Sequence, residues 1–152
     1  MTISLNVGMA GKSQKGAFVY DGQGQSLSFK VSTSATLSDF YRCAGMPVKI
    51  TGDGVIDKAG DADDVYGVVL YNPVKNTYGL GDSIEIATKG IVYLEASASI
   101  TRLAYVKLVA TNNKVATSTS GKTVVGQALE AASGDGSIIR VDLDKKQTVQ
   151  TA

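Results

Sequence analysis

Histidine and tryptophan are absent from this sequence of 152 residues, and cysteine occurs once, at Cys43. The lack of histidine excludes acid–base catalysis by imidazole, Ser-His-Asp triads and zinc sites with a histidine ligand. A single cysteine excludes an intrachain disulfide, and we expect Cys43 to be a small buried thiol. A carboxylate pair is the remaining catalytic design, but its candidates, Glu85 and Glu95, are explained more simply as surface side chains. We therefore predict that the protein is not an enzyme.

Neither an excess of charge nor a long apolar run is present. The 15 basic and 14 acidic side chains nearly cancel, so no strong field would attract nucleic acid or an anionic membrane. No apolar run approaches the roughly 20 residues that span a bilayer, and the N-terminus lacks the hydrophobic region of a signal peptide. We expect a soluble protein made in a cytoplasm, with neither nucleic acid nor membrane as a partner.

Motifs that resemble ligand sites lack essential positions. Gly11-Lys12-Ser13 and Gly121-Lys122-Thr123 end like phosphate-binding loops, but neither has the earlier glycine that such a loop needs. Five aspartates between Asp53 and Asp64 offer oxygen ligands to a hard cation, but their spacing does not match an EF-hand. We predict no cofactor and no metal ion, and we interpret the acidic segment as a solvated loop.

Short alternating or β-branched segments recur along the chain, with 17 glycines and only 2 prolines between them. This pattern predicts an all-β fold: a compact barrel-like or sandwich body of about ten short strands joined by tight turns. Residues 32–42 fit either a short helix capped by Thr36 or an edge strand. We favour the strand because its neighbours are β. The segments predicted as strands are residues 27–31, 46–51, 55–56, 65–71, 83–87, 90–95, 104–110, 124–129 and 138–143.

One unit of the pattern occurs twice. Val48-Lys49-Ile50 matches Val106-Lys107-Leu108 after 58 residues, and the apolar strand with an internal glycine at Gly67 matches a second one at Gly126 after 59 residues. A glycine inside such a strand usually indicates a bulge or a close backbone approach. We therefore predict an internal duplication, with structural roles for four glycines: Gly45, Gly67, Gly90 and Gly126.

The first 25 residues differ from the rest, because five glycines dilute their apolar residues. We predict an extended N-terminal arm over residues 1–25, a β domain over residues 26–143 and a polar C-terminal tail over residues 144–152. The arm is more apolar than a solubilising tail requires, which suits a segment ordered by a neighbour. The alternative is a first strand of the body itself. The apolar arm residues are Ile3, Leu5, Phe18, Val19 and Tyr20.

Five short motifs follow one another along the chain: Gly45-x-Pro47-Val48-x-Ile50, Val65-x-Gly67-Val68-Val69, Gly90-Ile91-Val92, Tyr105-Val106-x-Leu108 and Val124-Val125-Gly126-x-Ala128-Leu129. In the order of these motifs the chain resembles tailed-phage capsid cement (head decoration) proteins of the β-tulip type. The resemblance covers residues 45–143, and one departure is Leu103-Ala104, where family members often have a glycine.

The resemblance implies a virion structural protein that binds the outside of the phage head, bridges subunits of the major capsid protein and forms a small oligomer, a dimer or a trimer. It would be made in the host cytoplasm and act at the capsid surface, with its arm residues contacting the capsid or an oligomer partner. Two other interpretations stay open: another phage head-fibre or tail structural protein, and a carbohydrate-binding β-sandwich. The second would use exposed tyrosines in place of tryptophan; the candidates are Tyr66, Tyr71, Tyr78 and Tyr93.

Overall fold

The computed structural model describes residues 14–20, 24–60, 63–109, 111–119 and 123–145, and within them it confirms the all-β prediction. Two short 3₁₀ helices, Leu37–Phe40 and Leu143–Lys145, accompany ten strands. The strands are β1 (Gln25–Val31), β2 (Pro47–Gly52), β3 (Val55–Lys58), β4 (Gly67–Val69), β5 (Ser83–Lys89), β6 (Ile91–Glu95), β7 (Tyr105–Val109), β8 (Lys114–Thr117), β9 (Val124–Ala128) and β10 (Ile138–Asp142).

The first five strands form a closed barrel in the order β1-β3-β2-β4-β5. All neighbours in it are antiparallel except β1 and β3, which are parallel and meet only at the C-terminal end of β1, where Val31 pairs with Ile56. Alternation explains the inward positions: on β5, Ile84 and Ile86 are buried while Glu85 between them is exposed. Among the described residues the barrel is therefore closed at one end of β1, and the other end of that strand is an edge.

The last five strands form a sheet in the order β6-β10-β9-β7-β8. Read from β1, the barrel has the corresponding order β1-β5-β4-β2-β3. The closing contact also has a counterpart, because Ala96, directly after β6, makes a parallel bridge to Val115 of β8. The two halves thus share strand order and strand direction, as the predicted duplication requires.

Individual hydrogen bonds repeat between the halves. The N–H of Val31 donates to the carbonyl of Asp82 at 2.9 Å, and the N–H of Ala96 donates to that of Ser137 at 2.8 Å. The N–H of Gly45 donates to the carbonyl of Val69 at 2.7 Å, and the N–H of Leu103 donates in the same way to the carbonyl of Ala128 at 2.8 Å. The N–H of Leu70 donates to the carbonyl of Glu85 at 3.0 Å, and its counterpart is the bond from the N–H of Leu129 to the carbonyl of Arg140 at 2.9 Å. The duplication predicted from two short motifs extends over all ten strands.

The described residues form two apolar clusters that stabilise the fold. One fills the barrel and contains Phe40, Met46 and Ile56, each fully buried. The other joins the second sheet to the outer side of the barrel, since Val68 of β4 and Ala87 of β5 pack in the same cluster as Leu94 and Val141. Because β4 and β5 contribute to both clusters, the two halves share one continuous body.

Two expectations about local structure were wrong. Residues 37–40 form a 3₁₀ helix and not a strand, because Phe40 is buried while Leu37 is 56% exposed, and a single inward residue supports one turn. Residues 114–117 form β8, which is not among the predicted strands. This strand has one buried side chain, Val115, so it presents no alternation to recognise.

Candidate functional site

Two connections are longer in the first half than in the second. Gly45 follows Val31 by 14 positions, whereas the equivalent Leu103 follows Ala96 by 7. Asp82 follows Leu70 by 12 positions, whereas the equivalent Ser137 follows Leu129 by 8. The first extra segment includes the 3₁₀ helix Leu37–Phe40, and the second is a loop around Val74.

The two longer connections are bonded to each other. Tyr41 and Thr77 form an antiparallel bridge. The N–H of Arg42 donates to the carbonyl of Asn76 at 2.6 Å, and the N–H of Tyr78 donates to the carbonyl of Phe40 at 3.0 Å. The shorter connections of the second half have a corresponding bridge, between Ile100 and Ala132, so this contact is common to both halves. In the first half the additional length extends it into one larger surface, which we name the insertion face and define as Leu37, Tyr41, Arg42, Val74 and Lys75.

The tip of the second connection is a fixed turn. The side-chain oxygen of Asn72 accepts hydrogen bonds from the N–H groups of Val74, at 2.9 Å, and Lys75, at 3.2 Å. Pro73, between Asn72 and Val74, restricts the backbone further. The turn holds the side chain of Val74 in solvent, 92% exposed, although no packing requirement of the barrel places an apolar residue there.

The remaining side chains of the insertion face combine apolar area with positive charge. Tyr41 is 57% exposed, and the guanidinium carbon of Arg42 lies 5.3 Å from the centre of its ring. The ammonium of Lys75 lies 5.0 Å from the ring centre of Tyr78 and 3.3 Å from the carboxylate of Asp82. Tyrosine and arginine are residue types enriched in protein–protein contacts. The exposed aliphatic side chains add apolar area that a partner surface can cover.

A cleft of about 310 Å³ lies beside this surface. Its walls include Arg42 and Lys75 of the insertion face together with Lys15, Tyr71 and Tyr78. Tyr78 is buried, and this burial raises the pKa of its hydroxyl above the ordinary value, so it stays neutral there. With several cationic side chains at its walls, the cleft suits an acidic side chain of a partner protein better than a basic one.

Part of the predicted arm lies on the second sheet. Residues 16–19 run antiparallel to β6, with Phe18 bridged to Val92 and packed against the core cluster. Val19 donates its N–H to the carbonyl of Ile91 at 2.9 Å, and Tyr20 follows, 50% exposed. Phe18 and Val19 thus contact β6 of their own chain. Ile3 and Leu5 lie outside the described residues.

The four predicted structural glycines all occupy positions that restrict the side chain. Gly45 and Gly90 have φ of +83° and +105°. Gly67 and Gly126 are extended, but each lies against a carbonyl of the next strand. A register shift opposite Val106 and Lys107 leaves Val125 as the extra residue, which makes β9 the bulged strand in the second half.

The residues considered for catalysis or metal binding do not assemble. Glu85 accepts a hydrogen bond from Ser26 at 2.8 Å, while Glu95 belongs to the other sheet and pairs with Lys15 and Lys114. Asp63 binds the ammonium of Lys49 at 2.8 Å. Within the part of the chain that the structure describes, no group of three acidic or cysteine side chains could hold a metal ion.

The tyrosines considered for carbohydrate stacking are also engaged in the body. Tyr66 packs edge-on against Phe29, with ring centres 5.4 Å apart, and Tyr78 is buried. Tyr71 and Tyr93 are half-buried, and they do not form an exposed row with the others. These positions favour packing roles over sugar binding.

A family model described as phage cement protein matches residues 16–143 of the chain. The chain belongs to the phage cement protein family. The match covers both halves of the duplication and the strand-like segment on β6, and it confirms the family indicated by the five sequence motifs. Membership gives the protein a structural role at the phage capsid, in a family that is typically not enzymatic. No curated protein matches the chain.

None of the helices in the described ranges is long and apolar enough to cross a bilayer.

Proposed function

We propose that this protein is made in the host cytoplasm, binds the outside of the phage capsid and stabilises the shell by bridging neighbouring subunits of the major capsid protein. The insertion face is the surface that contacts the shell. Family membership supports a role at the capsid. The contact surface is inferred from the geometry of this chain alone.

The observation that carries this proposal is the difference between two otherwise matching halves. The second half connects the same strands without the extra residues, so the fold does not need them. In the first half these residues expose Leu37, Tyr41 and Val74 to solvent. Apolar side chains kept in solvent cost free energy in the isolated protein, and a partner surface that covers them recovers it.

A cement protein does not need a tight single contact. Many copies bind one shell, and a copy that touches two subunits at once gains from the effective concentration of the second contact. An insertion face of a few apolar and cationic side chains, on a body of two packed sheets, is sufficient for that design. A homo-oligomer, a dimer or a trimer, would multiply these contacts further.

The test is binding to purified mature shells that lack the cement protein. A chain with Tyr41→Ala and Val74→Asp should lose at least tenfold in apparent affinity, because it removes apolar contact and adds an unpaired charge. The matched control is Ala131→Asp, which places the same charge in the corresponding, shorter connection of the second half, at an exposed position.

Both variants should retain the melting temperature of the unaltered protein, because the replaced side chains lie in solvent. The proposal is overturned if the double variant binds shells as well as the control does. It is also overturned if Ala131→Asp alone abolishes binding, since the second half would then carry the contact.

A further inference from the structure

One edge of β1 lacks a partner in the described part of the chain. Lys30 donates its N–H toward β3, to the carbonyl of Gly54 at 2.9 Å. Backbone groups of every second residue in a strand point the same way, so those of Ser28 and Ser26 face this side too. The pairing with β3 begins only at Lys30, and within the described ranges Ser26 and Ser28 have no backbone partner on this edge.

In the second half the equivalent edge is covered. Tyr93 of β6 donates its N–H to the carbonyl of Ala17 at 3.0 Å and accepts the N–H of Gly16 at 2.7 Å. Phe18 lies opposite Val92 in this added strand. One strand-like segment therefore provides hydrogen-bond partners for the backbone groups at the edge of β6 and covers the core there.

The exposure of equivalent side chains differs between the two edges. Leu27 pairs with Ile86 of β5, as Val92 pairs with Val141 of β10, so Leu27 and Val92 are equivalent. Val92 is 0% exposed beneath Phe18, whereas Leu27 is 49% exposed. An apolar, inward-facing side chain remains in water because the strand that would cover it is missing from the described barrel.

We propose that this edge of β1 binds the N-terminal segment, residues 3–9, of a second copy of the chain. The segment reads Ile3-Ser4-Leu5-Asn6-Val7-Gly8-Met9, in which every second residue is apolar. That period places its apolar side chains on one face, as required of a strand that covers Leu27. This inference concerns self-association and does not depend on the proposed binding to shells.

The choice of a second copy follows from how the first edge is covered. The segment that covers β6 precedes β1 along the chain, so a strand leaves one half and completes the other. An exchange between copies repeats this arrangement between molecules. The segment preceding residue 14 leaves its own molecule and completes the barrel of the next copy. Such contacts join two different surfaces head to tail, and they close into a ring when the rotation permits.

The test uses disulfide trapping between two chains, each with one introduced cysteine. Cys43→Ala serves as the background. One chain carries Leu27→Cys, and the other carries Ile3→Cys, Leu5→Cys or Val7→Cys in turn, which covers the alternative registers. The matched control replaces Leu27→Cys by Leu80→Cys, another exposed leucine, 41% exposed.

On mild oxidation of the mixed chains, at least one arm position should give a linked heterodimer with Leu27→Cys at several times the yield with Leu80→Cys. Equal yields with both partners overturn the proposal. A second experiment places Leu5→Cys and Leu27→Cys in the same chain, oxidised at a concentration at which the unaltered protein sediments as an oligomer. Predominantly intrachain disulfide there overturns the assignment to a second copy, because the segment would then cover its own barrel.

Sedimentation of the free protein provides an independent measurement. Leu27→Lys and deletion of residues 1–13 should each shift the oligomer to monomer, while Leu80→Lys should not. An unaltered protein that is monomeric at all concentrations overturns the proposal. These measurements contain no shells, so their failure leaves the proposed capsid contact untouched, and failure of shell binding leaves them untouched in turn.

Discussion

Gly67 and Gly126 hold the same place in the two halves of the chain. Gly67 pairs with Val48, and Gly126 pairs with Val106. A Cβ atom on Gly126 would lie 2.6 Å from the carbonyl oxygen of Asp142, and one on Gly67 would lie still closer to that of Ala87. Each glycine thus allows a central strand to approach the next strand closely, and the equivalence connects the spacing in the sequence to the packing of the two sheets.

Replacing either glycine by alanine should destabilise the protein. The added methyl group meets backbone and not a flexible side chain, so a strand must move, at a cost on the order of 1–3 kcal/mol. Thermal unfolding should show a lower melting temperature for Gly67→Ala and Gly126→Ala. Gly134→Ala is the control, because an added Cβ there meets nothing within 4 Å. Three identical melting curves would show that the close approach is not constraining.

Leu103 should be a site of stabilisation. It has φ of +70° and is the equivalent of Gly45, which has φ of +83°. A leucine in the left-handed region is strained by about 1 kcal/mol, and its side chain is 57% exposed, so little packing is lost on its removal. We expect Leu103→Gly to raise the melting temperature and Gly45→Ala to lower it. A decrease for Leu103→Gly would indicate that its side chain contributes more than its backbone costs.

The repeated strands could be predicted from the sequence because each short motif occurs twice, and the spacing in one copy supports the strand assignment in the other. Gly67 follows Val48 by 19 positions and Gly126 follows Val106 by 20, and such similar spacings in two places indicate a common pairing. Ile84 and Ile86 likewise show an alternation that only an inward face of a strand explains. Where a strand has several inward residues or a partner elsewhere in the chain, its position was predictable.

The insertion face and the covered edge of β6 were not predictable in that way. Leu37, Tyr41 and Val74 belong to connections without periodicity, and their proximity depends on backbone bonds between residues far apart in sequence. Phe18 lies in a glycine-rich segment without periodicity, and its pairing with Val92 becomes visible only in the folded chain. A comparison of loop lengths between the duplicated halves would have located the two longer connections, but not their contact.

Acid should weaken the first half through Asp82. Its carboxylate accepts the N–H of Gly79 at 2.7 Å and lies 3.3 Å from the ammonium of Lys75. The hydrogen bond from Gly79, and after it the bond from Lys75, hold the pKa of Asp82 below its usual 3.8. A lowered folded-state pKa means stabilisation that is complete above the unfolded-state pKa and lost as the pH falls through the folded-state pKa. The loss therefore lies below about pH 4.

The second half supplies the matched variant for this prediction. At the equivalent position the hydroxyl of Ser137 accepts the N–H of Gly134 at 3.3 Å, and this group does not titrate. Asp82→Ser should lower the melting temperature at neutral pH, and its difference from the unaltered protein should shrink toward pH 3. Some acid dependence will persist in the variant because Lys49 and Gly60 also lower the pKa of Asp63. A difference that is constant with pH would contradict the assignment.

Cys43 should be chemically inert in the folded protein. Its side chain is 2% exposed, and burial raises the pKa of the thiol to about 12. The thiolate is the reactive form, so at pH 8 only about one molecule in 10⁴ carries it, against roughly a quarter for a free thiol of pKa 8.5. Labelling by a disulfide reagent should be at least a thousandfold slower in native buffer than in denaturant. The control is Ser99→Cys in a Cys43→Ala background, an exposed position that should label rapidly in both conditions. Rapid native labelling of Cys43 would mean that the barrel end around it opens on the timescale of the reaction.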